Sequence, residues 1–342
     1  RLGKRIKHDL SFPVNSIRYL LEKSHLKVKD IDYVAVARDP SANKIQKLNS
    51  LFLSQRNKIS AVKGYLERKS KSQDVLKDLA SKINFKNDEN SYQVVNVEHH
   101  IAHIAASFYT SKFDDSAAMS FDGSGDGVSV MFAECKHNKI EVKKRIFLPA
   151  SLGHFYTAMC QIIGFSGFGE EYKVMGLAPY GEDIYSSNLE NVIRVNENGE
   201  IKLNSKYFRV GKAYDELTIS ENGELILGNL YEQRLLSLLG LNSQDSSKGS
   251  SKVSRDVAKS TQIVFERIAL QLLKKLEKIS SSKNLCMGGG CALNGVFNAK
   301  ISELTHYENT HYHPAASDDG NCVGAALYVR HQILKEPRNK EI

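Results

Sequence analysis

The chain has 342 residues, 41% of them hydrophobic and 25% charged, which is enough apolar material for two medium lobes or one large α/β unit, so that no separate disordered half is needed. Lysine and arginine outnumber the acids 47 to 39, giving a formal charge of +8, yet no RNA-recognition signature or zinc-finger spacing accompanies the excess, so nucleic acid is not expected as the partner. No apolar run approaches the roughly 18 residues of a membrane span; no secretory signal is recognised, and five irregularly spaced cysteines without a CxxC suit reduced thiols, so a cytoplasmic protein is expected.

The basic excess gathers in RLGKRIKH (1–8) and in 63–87. The second stretch is interleaved with acids and apolar residues, as a solvated helical face would be; contact with an anionic partner is the other reading. SFPVNSIRYLLEKSHL (11–26) predicts a helix starting after Pro13, with Ile17, Leu20 and Leu21 on one face. IDYVAVA (31–37) reads as a buried strand and 41–90 as mainly helical and polar. YQVVNV (92–97) reads as a second strand running into His99, His100 and His103, after which 99–112 fits a helix of small residues. SAAMSFDGSGDGVSVMFAEC (116–135) predicts a hairpin with a tight Gly/Asp turn, and KIEVKKRIFLP (139–149) the third strand of that meander.

Helices and loops are expected over 151–182. Region 183–250 carries little pattern, and NSQDSSKGSSK (242–252) reads as a Ser-rich loop. The clearest helix covers 254–279, where Val264, Ile268, Leu272 and Leu276 recur every four residues opposite a Lys/Glu face. A strand at NLCMGG (284–289), another at THYHP (310–314) and a helix from about 320 to 335 follow. Hairpin strands succeeded by alternating helices and strands predict α/β lobes on mixed sheets.

His99 and His103 are four apart, which on a helix puts both imidazoles on one face, where they can share a metal. Two helical histidines are also ordinary surface or capping residues, so the pair alone leaves both readings open. His100 points about 100° away and reads as a neighbour of that face. Asp122 enters the glycine-rich DGSGDG (122–127). This is either a plain hairpin turn or a phosphate hairpin whose backbone N–H groups close on anionic oxygens while a carboxylate holds a metal. MGGGCALNG (287–295) places Gly288, Gly289 and Gly290 between a strand and a helix. It is neither a Walker A loop nor GxGxxG, but it can receive a nucleotide or serve as a structural turn. Asp318 and Asp319 precede a helix, as dipole caps or as the source of a further metal ligand. In GEEYKVMGLAPYG (169–181), Lys173 is placed to neutralise a phosphate or an oxyanion.

Together these segments resemble the O-carbamoyltransferases of the nodulation-protein and tobramycin-carbamoyltransferase type. Their catalytic module is similar to the tRNA-threonylcarbamoylation protein and shares the actin/hexokinase/Hsp70-like fold. The resembling stretches run in family order: RIKHDLSFP (5–13), HHIAH (99–103), FDGSGDG (121–127), LPASLGHFYTA (148–158), EYKVMGLAPYGE (171–182), NLCMGGGCALNGVFNAKI (284–301) and HPAASDDG (313–320). The turn DGSGDGVS also resembles the phosphate hairpin of actin-like ATPases.

The resemblance implies two actin-like lobes with mixed sheets, 1–115 and 116–335, a helical insertion over 151–250 and a tail at 336–342. It also implies one metal, iron in the family, held by His99, His103, Asp122 and Asp318. Two imidazoles and two carboxylates suit Fe²⁺, Mn²⁺ or Zn²⁺. Gly123 and Gly125 with the Gly288–Gly290 turn, Asn294 and Lys173 match the nucleotide and carbamoyl pocket. The implied reaction makes carbamoyl adenylate from carbamoyl phosphate and ATP, then moves the carbamoyl group to a hydroxyl of a small molecule or sugar. Asp126, Glu170 and His100 are the candidate bases.

Set against family members, the chain is expected to lack the first N-terminal strands and the YrdC-like adenylate-forming domain, which is therefore expected as a partner. The oligomeric state is left open, a homodimer being one option. Two rival readings are a tRNA threonylcarbamoyl-transfer protein, which the basic charge suits, and a catalytically incomplete actin-like nucleotide-binding module.

Overall fold

Helix α1 (Val14–Lys23) and the parallel strands β1 (Tyr33–Val36) and β2 (Gln93–Asn96) form a small layer. The computed structural model describes residues 12–47, 81–83, 92–219, 225–242 and 249–338. The basic stretch 1–8, most of 41–90 and most of the Ser-rich stretch 242–252 lie outside them. Val14 and Ile17 of α1 pack with Phe12, Ile31, Val34 and Tyr92. Leu20, expected on the same face, is 63% exposed instead, because at about 100° per residue it stands about 100° round the helix from Leu21 and outside the Val14–Ile17–Leu21 row.

Helix α2 (His99–Thr110) follows β2 directly. It is apolar nearly all round and correspondingly buried. One side meets a five-stranded sheet, with Ile104, Ala105 and Phe108 packing on Ala118, Val128 and Met131. That sheet contains the predicted meander, β3 (Asp115–Gly125), β4 (Val128–Lys136) and β5 (Lys139–Phe147), paired antiparallel. Strands β6 (Asn284–Gly288) and β7 (Asn309–Tyr312) extend it in parallel beyond β3, in the order β7-β6-β3-β4-β5. The mixed sheet expected of an actin-like lobe is therefore present.

The opposite face of this sheet is covered by α3 (Leu152–Ile162) and α5 (Lys252–Glu277), with α4 (Tyr172–Leu177) beside them. Helix α5 starts at the side chain of Ser251, which accepts the Ser254 N–H at 3.0 Å. Its predicted stripe of Val264, Ile268, Leu272 and Leu276 is fully buried. The described residues of region 183–250 form short helices and two small antiparallel strand pairs, Ile193–Val195 with Ile201–Leu203 and Thr218–Ile219 with Leu225–Ile226. Leu189, Ile193, Ile201, Phe208 and Leu230 from this region join the same core as α3 and α5.

Helix α6 (Asn321–Tyr328) lies against α2 and continues into a π-helical turn at Val329–Ile333. The two backbones approach so closely that a Cβ on Gly324 would stand 1.8 Å from the Ala102 carbonyl oxygen. Only glycine permits this crossing, which sets the start of α6 beside the start of α2. Among the described residues no helix is long and apolar enough to cross a membrane, and all five cysteines are free thiols.

Candidate metal centre

The glycine-rich segment that ends β3 and turns into β4 divides into two parts with separate duties. Asp126 and Gly127, at φ +51° and +85°, make the two-residue turn itself. Asp122, Gly123 and Ser124 form a bulge, since β3 spends four positions from Phe121 to Gly125 while β4 spends two from Val130 to Val128. A bulge bends its strand and re-aims the side chains within it. Here it turns Asp122 toward α2.

Asp126, expected as a candidate base, holds this turn against the helix instead. Its carboxylate accepts the backbone N–H of His99 at 3.0 Å and of Asp39 at 2.8 Å, and pairs with the Lys47 ammonium at 3.5 Å. With its side chain 2% exposed, it caps the start of α2 and favours the helix dipole. His100 is likewise occupied, wedged between the Ser120 hydroxyl and the Val128 carbonyl. Burial, reinforced by His99 and His103, pushes it well below the ordinary histidine range, so it stays neutral.

Four side chains meet between the bulge, α2 and α6. Nε2 of His99 and Nε2 of His103 are 3.0 Å apart. Asp122 Oδ2 lies 3.6 Å from the first and 3.1 Å from the second. Asp318 Oδ1 lies 3.3 and 3.4 Å from them. All four ligand atoms fall within 4.8 Å of one another. A tetrahedron of ligands about 2.0–2.1 Å from an ion has edges of about 3.3–3.4 Å, so the cluster has the size and donor set of a divalent-metal site. The Gly123 N–H donates to Asp122 Oδ1 at 2.7 Å, leaving Oδ2 for the imidazoles.

Electrostatics tie the group together. Burial opposes charge on His103, but hydrogen bonds and charge from Asp122 and Asp318 outweigh it and raise the imidazole to about 9. Burial likewise opposes ionisation of Asp122, and His103 and His99 overcome it, holding the carboxyl well below its usual range.

Gly125, expected as a nucleotide contact, makes room for His99: a Cβ there would stand 1.9 Å from His99 Cδ2 and 2.6 Å from its Cβ. Gly125→Ala should therefore push the imidazole off the cluster and weaken divalent-metal binding about 10-fold or more, in the range found when an orienting group is lost. Metal titration checks this; unchanged affinity would mean that the ring shifts without cost.

The other expected site residues are placed more loosely. Gly288 packs on the His103 backbone, and Gly289, at φ +91°, on that of Phe121. The Gly289 N–H already donates to the Ala316 carbonyl at 2.7 Å. Gly290 faces the cluster, 3.0 Å separating its would-be Cβ from Asp122 Oδ1. Asn294 is paired with Gln262 in both directions at 3.0 Å and also caps the short helix at Gly295–Asn298. Lys173 pairs with Glu170 and lies 4.5 Å over the Phe165 ring; this pair raises the lysine above its ordinary value.

Two further residues stand at the site without having been singled out in the sequence. His154, on α3, is 3.0 Å from the Tyr214 hydroxyl and packs beside Gly123; Tyr214 comes from the region that periodicity left unread. Asn321 is buried against both histidines of the cluster. Its place after Asp318-Asp319-Gly320 marks only a helix start.

Comparison with known proteins supplies the family. The chain is 30% identical over 340 residues to an uncharacterized protein of Synechocystis sp., covering 98% of this chain and 53% of that one. It is 28% identical over 335 residues to the nodulation protein NolNO of Sinorhizobium fredii, covering 96% and 43%. It thus spans about half the length of these relatives. Among solved structures, HypF of T. kodakarensis aligns with TM-score 0.35 and 14% identity, over 70% of this chain and 37% of that one. A full-length HypF in a phosphate- and nucleotide-bound form aligns with TM-score 0.38 and 14% identity, over 82% and 51%. The carbamoyltransferase N-terminus family matches residues 1–327, nearly the whole sequence, and the chain belongs to that family.

Proposed function

We propose that this chain is the carbamoyl-transfer module of an O-carbamoyltransferase. It takes a carbamoyl group from carbamoyl adenylate, itself made from carbamoyl phosphate and ATP, and passes it to a hydroxyl of a small molecule or sugar. The observation that carries the reading is the meeting of His99, His103, Asp122 and Asp318 in one cluster; family membership supports the reaction class. A divalent metal bound there, iron by resemblance, supplies Lewis acidity toward a carbonyl oxygen.

The chain's own residues prepare the site. Gly123 fixes the Asp122 carboxylate, Asp126 anchors the start of the helix bearing the histidines, and the Asp318 side chain, 69% exposed, leaves the cluster open toward solvent. Substrate approaches from that side. In the transfer step the acceptor oxygen bonds to the carbamoyl carbon, the bond from that carbon to the adenylate phosphate oxygen breaks, and AMP leaves. The hydroxyl proton passes to a base. Asp126 and His100 are committed elsewhere; Glu170, the third candidate, has its side chain 26% exposed beside Lys173, and it would have to release the Gly167 N–H, held at 2.8 Å, or the lysine to accept that proton. The Lys173 ammonium offsets charge on the departing phosphate. A YrdC-like adenylate-forming domain is the partner this scheme requires.

The test supplies the chain with Fe²⁺ and with carbamoyl adenylate made in place by a separate YrdC-type protein. AMP release that depends on a sugar or aminoglycoside hydroxyl is expected. Transfer only from threonylcarbamoyl adenylate to tRNA would favour the tRNA reading. Nucleotide binding without transfer to any acceptor would favour an incomplete module.

A further inference from the structure

Asn321 opens α6 three residues after Asp318 and is 3% exposed. Its Nδ2 lies 3.3 Å from Nδ1 of His99 and 3.2 Å from Nε2 of His103. Among the described residues its Oδ1 is buried without a hydrogen-bond partner. A buried amide oxygen left without a donor is rare and asks for an explanation.

The polarity of these contacts supplies one. An amide nitrogen only donates. Facing His99 Nδ1, it needs that nitrogen bare, which leaves the proton of a neutral imidazole on Nε2, among the four ligand atoms. A metal held by Nε2 demands the reverse: Nε2 offers its lone pair, and the proton resides on Nδ1, where it needs an acceptor. The amide can meet that demand without moving its backbone. Turned over about its last side-chain bond, it exchanges nitrogen and oxygen in nearly the same volume and sets Oδ1 opposite the Nδ1 proton. The same turn removes the Nδ2 donor from beside His103 Nε2, so that no N–H is aimed at the ligand set from this side.

We infer that Asn321 is a positioning residue for the metal ligand His99, its side-chain carbonyl accepting the Nδ1 proton of the metal-bound imidazole. The inference rests on reading the four-residue cluster as a metal site. The Gly324 crossing fixes α6 against α2 and so holds Asn321 at this distance, one turn before the glycine itself.

Co²⁺ titration of the whole chain tests it, followed by visible absorption and by competition with a chelator. Asn321→Leu keeps the side-chain volume and removes the acceptor; it should bind Co²⁺ about 10–100-fold more weakly than the native chain. Asn321→Asp keeps an acceptor and has no donor, and should bind within a few-fold of the native chain or more tightly. In the Zn²⁺-loaded native chain, the His99 Nδ1 proton should give a slowly exchanging NMR signal that Asn321→Leu loses.

Native affinity in Asn321→Leu would overturn the inference. So would weakened binding in Asn321→Asp, which decides the matter even where the leucine variant fails to fold, because a donor role predicts loss there and an acceptor role does not. His103→Ala separates the two levels. If the native chain binds no Co²⁺, or His103→Ala binds it equally well, the metal reading fails and this inference with it. If His103→Ala alone loses affinity, only the role of Asn321 falls.

Discussion

Replacing His103 by alanine should reduce divalent-metal affinity by more than about 100-fold, beyond the 10–100-fold typical of removing a group that merely orients a ligand. Its Nε2 lies between 3.0 and 3.4 Å from each of the other three ligand atoms, so no neighbour can take its place. The fold should survive. Truncation leaves a small cavity beside Gly288 and deprives Asp122 of one partner, but Asp122 keeps the Gly123 N–H and His99. The cost in the metal-free protein should thus lie near the lower end of the about 3–5 kcal/mol of a broken buried pair. Metal titration and thermal unfolding of the same variant decide the matter. A variant that unfolds early yet binds metal like the native chain would make His103 a structural residue.

Metal affinity and stability should depend on pH in opposite senses, with one group responsible. His103 stands near 9 in the folded, metal-free chain against about 6.5 in an unfolded one. Because the folded value is raised, its contribution to stability is complete below pH about 6.5 and is lost as the pH climbs through 9. The side chain is only 1% exposed, so the shift translates to a contribution on the order of 3 kcal/mol. Asp122 is lowered by the same contact, and the two shifts describe one interaction that must not be counted twice. Its acid-side signature lies below pH about 4, where stability present at higher pH fades as the carboxylate is protonated.

Metal must displace the His103 proton. Apparent affinity should therefore rise about tenfold per pH unit from pH 7 toward 9 and level off above, with about one proton released per ion near neutral pH. Calorimetry in buffers of different ionisation enthalpy counts that proton. Affinity flat from pH 7 to 9 would remove His103 from the ligand set.

Much of the molecule was legible beforehand, and for identifiable reasons. Val264, Ile268, Leu272 and Leu276 repeat often enough for helical period to declare itself, and the helix is found within two residues of its expected ends. The meander from Asp115 to Phe147 is continuous and alternates with turn residues at the right places. Region 183–250 stayed opaque because its regular elements, among the described residues, are two to seven residues long, too short for any period to show.

Local chemistry by itself determined that His99 and His103 share a helix face, that Asp122 sits in a glycine-rich turn, and that Asp318 precedes a helix. Those are statements about neighbours along the chain. Partnership across the chain was decided by the tertiary structure, because a side chain's role depends on which donors and acceptors are left to it. Asp126 looked as available as Asp122, yet the turn at Asp126–Gly127 aims it at the first N–H of α2 while the bulge aims Asp122 at the imidazoles. Asn321 looked like an ordinary helix start until the α2–α6 crossing at Gly324 set its amide against both histidines. Spacing places residues on an element; only packing settles what each of them faces.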